Sequence, residues 1–175
     1  IMAIIKNIRD LREILDNFNN EKPIYMTSGG FDPLPVGHVK CIQETVKKAR
    51  CAIRHPKQQH GIVVVVVNAD SFLIRKKGYA FMPLMERMEI INSIEGVDYV
   101  VSWEAEWPDQ TVIGAIDILR PQYFTKGGDR INEKTIPEWD ICKQVDCEII
   151  AGVGKGGKIQ SSSDLIRRAY ERIAE

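Results

Sequence analysis

The residues best suited to chemistry lie in the stretch 28–38, which directly follows an apolar run. Gly29 and Gly30 would let the backbone come into contact with a phosphate group, because glycine has no side chain to hold a ligand away. His38, preceded by Gly37, is expected near the N-terminus of a helix, where an imidazole can donate a hydrogen bond to a phosphoryl oxygen. The stretch therefore predicts a site for a phosphorylated ligand, with His38 beside its phosphoryl group; a purely structural histidine is the alternative.

Two further groups of polar residues follow predicted strands. Asn-Ala-Asp at 68–70 comes after the β-branched run 62–67, and Lys-Gly-Gly-Asp at 126–129 comes after the short run 123–125. Because ligands of open parallel sheets bind at the carboxyl ends of the strands, we expect these loops to meet His38 in one crevice. Polar residues also collect in loops without any ligand, so their position alone does not decide the site.

The last part of the chain offers another candidate for binding an anion. Ser161, Ser162 and Ser163 precede a predicted helix and supply hydroxyls and free backbone N–H groups, and Arg167 follows one turn later. An ordinary serine N-cap with a solvated basic face is the alternative, and the sequence leaves both open. The segment 152–158 matches G-x-G-x-x-G, but it follows the last predicted strand, so we interpret it as a basic lid rather than a dinucleotide fingerprint.

Strands and helices that could position these residues alternate along the chain. Apolar runs and turn residues predict strands at 24–26, 62–67, 99–101, 123–125 and 148–151, and helices at 6–20, 39–52, 83–95, 111–119, 137–145 and 162–174. This order predicts an α/β fold, a doubly wound parallel sheet of about five strands with a Rossmann-like arrangement. We expect a single domain over residues 1–175, with an N-terminal helix at 6–20 and a core at 24–175.

Composition and charge exclude several classes of function. The 175 residues carry 24 Lys and Arg against 24 Asp and Glu, so no global field attracts nucleic acid or an anionic membrane. No apolar run approaches the roughly 20 residues that cross a bilayer, and no export signal is evident, so a cytoplasmic protein is expected. The four cysteines lack C-x-x-C spacing, which favours buried thiols over zinc ligands and predicts no protein-bound metal.

Several of these segments together resemble one known family. The stretch 28–38 resembles the G-x-F-D-x-x-H-x-G-H signature of the nucleotidyltransferase (cytidylyltransferase-like) superfamily, with Pro35 in place of the first histidine. Further similarities are Glu86-Arg87-Met88 to an E-x-R helix start, 67–70 with Lys77-Gly78 to V-N-S-D followed by K-G, 97–101 to V-D-W-V-V, 126–129 to K-G-G-D, and 161–167 to I-S-T-T-x-x-I. The resemblance extends over residues 24–173. It is strongest to the nucleotidylyltransferase domain of ADP-heptose synthases, and glycerol-3-phosphate cytidylyltransferases are also similar.

The resemblance implies a reaction and a set of site residues. A nucleoside monophosphate would pass from ATP or CTP, with Mg²⁺, to a phosphorylated small molecule such as a sugar phosphate, and pyrophosphate would leave. The implied catalytic residues are His38, Lys77 and Arg87. The implied nucleotide-binding residues are Gly29, Gly30, Phe31, Gly37, His38, Lys126, Gly128, Asp129, Ser161, Ser162, Ser163 and Arg167. The implied substrate-binding residues are Asp32, Asn68, Asp70 and Lys77. The triphosphate and the phosphorylated acceptor are the expected partners, and a homodimer is left open.

The implied roles of four residues compete with simpler interpretations. We expect the Phe31 ring to pack in the core and Asp32 to fix its loop through backbone hydrogen bonds. Lys77 and Arg87 would otherwise be ordinary surface charges, whose removal changes folding stability little.

Pro35 is the departure that bears on catalysis. Proline offers neither a side-chain donor nor a backbone N–H. The chain is therefore a slow enzyme, an enzyme with a replacement donor, or a nucleotide-binding or regulatory protein that no longer catalyses. His55 and His60 lie in the basic segment 50–60, which we interpret as a solvated insertion, with a replacement catalytic histidine as the alternative.

Overall fold

The computed structural model describes residues 3–5, 7–18, 22–51, 60–106, 108–128, 130–154 and 161–174. Its strands are β1 (Ala3–Ile5), β2 (Ile24–Gly29), β3 (Ile62–Asn68), β4 (Tyr99–Trp103), β5 (Tyr123–Gly127) and β6 (Glu148–Val153). Its helices are α1 (Ile8–Asp16), α2 (Val36–Cys51), α3 (Asp70–Lys77), α4 (Leu84–Asn92), α5 (Ile113–Leu119), α6 (Trp139–Gln144) and α7 (Ser162–Ala174). None of the helices in these ranges has the length and apolar composition that crossing a membrane requires.

The strands form one parallel sheet in the order β1-β4-β3-β2-β5-β6. The predicted α/β doubly wound sheet is confirmed. The five predicted strands are β2 to β6, and the three residues of β1 add a sixth at the edge, beside β4. A three-residue strand is too short to show a period in the sequence, and the α3 helix was also missed, because its apolar residues Phe72 and Leu73 are adjacent rather than spaced.

The sheet is buried on both faces, as a parallel sheet must be when helices cover it. All seven residues of β3 are buried. Val64 and Val66 pack on one face with residues of α1 and α5, while Val65 and Val67 pack on the other face with residues of α4. This alternation explains why the run is apolar at every position.

The order of the strands reverses beside β2. Its two neighbours are β3 and β5, and the chain reaches β5 only after building β3 and β4 on the opposite side. Loops that leave β2, β3 and β5 therefore diverge to either side of a crevice at the carboxyl edge of the sheet, which is where doubly wound folds bind ligands.

The cysteines agree only in part with the expectation of buried thiols. Cys41, Cys142 and Cys147 are buried, but Cys51 at the end of α2 is exposed. The expectation was wrong for Cys51, because it assigned burial by residue type without knowing which face of the helix the residue occupies.

Candidate functional site

A cavity of about 380 Å³ opens at this crevice. It is lined by the ends of β2, β3 and β5, the first turn of α2, the end of α3 and the residues that precede α7. The structure brings most of the predicted site residues to its wall: Gly29, Gly30, Phe31, Asp32, Gly37, His38, Asn68, Lys77, Lys126, Gly128, Ser161 and Ser162. Segments that are more than a hundred positions apart in the sequence thus share one wall.

Other predicted site residues do not line the cavity. They are Arg87 and Asp70, which pair with each other, and Ser163 and Arg167 of α7. The Arg167 side chain is 67% exposed and pairs with Asp164 and Glu171 on its own helix, so α7 directs this cation to solvent. Asp129 lies outside the described residues.

His38 occupies the first turn of α2, where its backbone N–H donates to the carbonyl of Pro35 at 2.9 Å. The ring meets Phe31 edge to face at a centroid distance of 5.3 Å, and its buried Nδ1 has no hydrogen-bond partner in the described part of the chain. Burial lowers the pKa of His38 below its ordinary value, so the imidazole is neutral at pH 7. A neutral imidazole can donate one hydrogen bond to a ligand oxygen.

Phe31 also belongs to the core, as expected, since it is 3% exposed and packs with Ile42 and Met88. It adopts a φ of 51°, in the left-handed region. The Phe31 ring lies under Gly29, where a Cβ would come within 2.9 Å of it. Glycine at position 29 is therefore required by this packing as well as by any ligand.

Asp32 fixes the loop in front of α4. Its carboxylate accepts hydrogen bonds from the backbone N–H groups of Phe81 (2.8 Å) and Met82 (2.7 Å), and from Lys77 Nζ at 2.8 Å. Burial alone would raise the pKa of this carboxyl group, but the Lys77 ammonium and the two N–H groups outweigh it and hold the pKa below its usual range. This geometry agrees with the interpretation of Asp32 as a loop-fixing residue, and it places Lys77 at the cavity wall.

Arg87 is not the exposed cation that the sequence suggested. Its side chain is fully buried and donates to the backbone carbonyls of Gly30 (2.6 Å), Asn68 (2.8 Å) and Met82 (3.0 Å), and to Asp70 Oδ1 at 2.5 Å. The surface-charge interpretation is wrong because α4 packs on β3 and β4 and turns this residue inward, under the loops that form the cavity. The guanidinium holds the ends of β2 and β3 together.

A buried ion pair that sequence reasoning missed lies on the β5 side of the cavity. Lys126 Nζ is 3.2 Å from Glu138 Oε2, and the two residues are 7% and 3% exposed. Burial lowers the pKa of Lys126, and the Glu138 carboxylate opposes that shift. Lys76, Gln110, Thr111 and Arg130 also line the cavity and were missed. Lys76 adjoins the quoted Lys77-Gly78 pair, which was a usable signal, whereas Glu138 carried none.

Ser161 and Ser162, at the start of α7, line the cavity, and Ser161 also caps the helix. Ser161 Oγ accepts from the Asp164 backbone N–H at 3.1 Å, while Asp164 Oδ2 accepts from the Ser161 N–H at 3.3 Å. Ser162 Oγ donates to the carbonyl of Pro33 at 2.7 Å. The N-cap alternative therefore describes Ser161, and the Ser162 contact ties α7 to the loop after β2.

His60, the one histidine of the inserted segment that the structure describes, does not supply a replacement donor. His60 is exposed, lies 3.1 Å from the carbonyl of Arg50 through Nδ1, and does not line the cavity. His55 lies outside the described residues. Pro35 is buried in front of α2 and is not part of the cavity wall.

With this geometry in hand, comparison with known proteins decides the family. The model of the cytidylyltransferase-like family matches residues 26–169, which include every loop that forms the cavity. This chain belongs to the cytidylyltransferase-like family. The resemblance noted in the sequence is confirmed, and the match supports a nucleotidyltransferase.

Curated relatives match at about a third identity. The bifunctional protein HldE of Nitratiruptor sp. is 33% identical over 79% of this chain and 28% of its own length. The protein of the same name from Geobacter metallireducens is 32% identical over 96% of this chain and 32% of its own length. The chain thus spans about a third or less of the relatives that it matches.

Solved structures share the fold at lower identity. A lipopolysaccharide core biosynthesis protein from Thermoplasma volcanium has a TM-score of 0.58 and 21% identity, over 77% of this chain and 98% of its own. A pantoate-β-alanine ligase from Francisella tularensis has a TM-score of 0.57 and 15% identity, over the whole of this chain and 80% of its own. These similarities show the Rossmann-like architecture.

Proposed function

We propose that this cytidylyltransferase-like chain transfers a nucleoside monophosphate from ATP or CTP to a phosphorylated small molecule, a sugar phosphate by preference, and releases pyrophosphate. The observation that carries the proposal is the position of His38: a neutral imidazole at the first turn of α2, with the glycines of β2 and cationic side chains around one cavity. Family membership supports the transfer of a nucleotide.

The proposed chemistry needs positioning and charge stabilisation, and no protein nucleophile. A phosphate oxygen of the acceptor attacks the α-phosphorus of the triphosphate in line, the bond to the β-phosphate bridging oxygen breaks, and pyrophosphate carries the electron pair away. His38 would donate a hydrogen bond to an α-phosphoryl oxygen, where charge grows in the transition state. Lys77, held by Asp32, would neutralise an adjacent phosphate.

Mg²⁺ is proposed to arrive on the triphosphate rather than in a protein cage. The carboxylates that line the cavity in the described structure, Asp32 and Glu138, are both engaged with lysines. No cluster of three or more His, Cys, Asp or Glu suited to a metal occurs among the described residues. These residues suit an ion that phosphate oxygens and water coordinate, as Mg²⁺ on nucleotides usually is.

The proposal that the acceptor is a sugar phosphate is supported by Asn68 and by the name of one structural neighbour. Asn68 is 7% exposed at the cavity wall, and its side-chain oxygen has no hydrogen-bond partner in the described ranges. A buried acceptor of this kind is satisfied by a donor on a ligand, and a sugar hydroxyl is such a donor. A neighbouring structure is named as a lipopolysaccharide core biosynthesis protein, which agrees with a sugar-derived substrate.

A nucleotide-binding protein without transferase activity is the second candidate, and Pro35 favours it. We would incubate the full chain and Mg²⁺ with ATP, CTP, GTP or UTP, each against a panel of sugar and polyol phosphates, and measure pyrophosphate release. The transferase proposal expects release that depends on both substrates. Tight triphosphate binding by calorimetry without release from any pair would refute the transferase proposal and favour the binding protein.

A further inference from the structure

The charges on the described part of the cavity wall are not balanced. Its cationic side chains are those of Lys76, Lys77, Lys126 and Arg130, and its carboxylates are those of Asp32 and Glu138. The whole chain has equal numbers of acidic and basic residues, so this local excess of two positive charges does not reflect its composition. A local excess of cations in a concave site focuses a field that attracts anions.

Ion pairing identifies which cations carry the excess. Lys77 Nζ lies 2.8 Å from Asp32 Oδ2, and Lys126 Nζ lies 3.2 Å from Glu138 Oε2. Neither Lys76 nor Arg130 forms an ion pair within the part of the chain that the structure describes. Among the cations of the described cavity wall, these two are the ones that no carboxylate pairs with.

Lys76 and Arg130 reach the cavity from opposite sides. Lys76 is in the last turn of α3, which follows β3, and Arg130 follows β5, while β2 lies between those two strands. Partial burial lowers the pKa of Lys76, the nearby Arg130 lowers it further, and Glu138 opposes the shift. Two like charges that face each other across a cavity repel, and an anion placed between them would remove that cost.

We propose that Lys76 and Arg130 form a two-sided clamp that binds a phosphate group at the mouth of the cavity. This inference rests on the proposed function for its choice of ligand. The phosphate is either one of the two that leave as pyrophosphate or that of the acceptor. Arg130 presents several donors in a planar fork, and Lys76 adds a point charge from the opposite wall. Together they would hold a phosphate that is not being transferred, apart from His38.

The test is calorimetric binding by the full chain of inorganic pyrophosphate, a non-hydrolysable triphosphate analogue and a sugar phosphate, each alone. Lys76→Met and Arg130→Met are the test variants. Lys134→Met is the control, since it removes one positive charge from an exposed residue outside the cavity, close to Arg130 in the sequence. Lys76→Arg keeps the charge. Circular dichroism and thermal melting confirm that each variant is folded.

We expect each Met variant to weaken the binding of at least one of these ligands about tenfold or more, as for the loss of a charge-assisted hydrogen bond to phosphate. Lys134→Met and Lys76→Arg should stay within about twofold of the unmodified chain. A loss confined to pyrophosphate and the analogue assigns the clamp to the triphosphate, and a loss confined to the sugar phosphate assigns it to the acceptor. Unchanged affinities in both Met variants, or an equal loss in Lys134→Met, would overturn the clamp.

This experiment can fail independently of the proposed function. Pyrophosphate binding that needs Lys76 and Arg130, in a chain that releases no pyrophosphate from any substrate pair, would leave the clamp standing and refute the transferase. Turnover that is normal in both Met variants, with unchanged affinities, would refute the clamp and leave the transferase standing.

Discussion

Replacing Arg87 with alanine tests how the cavity is held together. The side chain donates to the carbonyls of Gly30, Asn68 and Met82 and to the Asp70 carboxylate. Arg87→Ala leaves these acceptors without the donor that the buried guanidinium supplies. The Asp70 side chain is 40% exposed, so water can replace that contact, and the larger cost lies in the three carbonyls.

The expected loss of folding stability follows from the burial of the Arg87 guanidinium. An unsatisfied buried polar group costs about 1–3 kcal/mol, and breaking a buried charged contact costs about 3–5 kcal/mol in all. We therefore expect Arg87→Ala to lower the free energy of unfolding by about 3–5 kcal/mol. For a chain of this size, each 1 kcal/mol lowers Tm by about 2–4 °C, so Tm should fall by about 6–20 °C.

The measurement is urea unfolding followed by circular dichroism at pH 7, with a thermal melt of the same samples. Arg120→Ala is the matched control, because that arginine is 61% exposed and, among the described residues, pairs with Asp117 of the helix that it caps. It should change the free energy of unfolding by less than about 0.5 kcal/mol. Arg87→Lys should lose most of what alanine loses, since one ammonium cannot reach all four acceptors.

A particular result would refute this reasoning. If Arg87→Ala unfolds within about 1 kcal/mol of the unmodified chain and yet loses triphosphate binding, the arginine acts on the ligand and its hydrogen bonds to the loops matter little. That outcome would restore the implied catalytic role of Arg87.

Three other substitutions test the remaining roles. His38→Ala should abolish pyrophosphate release and leave the circular dichroism spectrum unchanged, and retained turnover would exclude His38 from catalysis. Burial lowers the pKa of His38 in the folded chain, so the unmodified protein loses stability as the pH falls below about 6.5, and the variant should lose less. Lys77→Ala should weaken triphosphate or acceptor use, and unchanged nucleotide kinetics would remove Lys77 from the site. It should also raise the pKa of Asp32, because the carboxylate loses the stabilisation that the ammonium group provides, so less stability is lost as the pH falls below about 4. Pro35→His should raise turnover with little change in nucleotide affinity, because a donor to the transition state acts mainly on rate; a variant that binds triphosphate but releases no pyrophosphate would favour the binding protein.

Local patterns in the sequence predicted the architecture well. The run 62–67 is apolar at every position, which is typical of a strand buried on both faces, and β3 is such a strand. Gly37 and His38 predicted a helix start after the first core strand, and α2 begins at Val36. These features depend on residues that are neighbours in the chain, so their types and spacing are sufficient to reveal them. Family membership was also visible in such short motifs.

Predictions of site residues were less reliable where a contact joins segments that are distant in the sequence. Arg87 matches a motif that implied a catalytic role, but α4 turns it inward to the carbonyls of Gly30 and Asn68, which lie 57 and 19 residues earlier in the chain. Arg167 matches a motif as well, and α7 directs it to solvent. Motif spacing cannot reveal such outcomes, because the direction of a side chain depends on how its helix packs.

By itself, the sequence determined which segments become strands and helices, the carboxyl edge at which the ligand loops meet, and the family. Only the tertiary structure decided which cations remain available there. Asp32 pairs with Lys77 and Glu138 pairs with Lys126, while neither Lys76 nor Arg130 forms an ion pair among the described residues. The physical reason is that pairing depends on distance in space across the reversed strand order, and no local pattern of residue types encodes that distance.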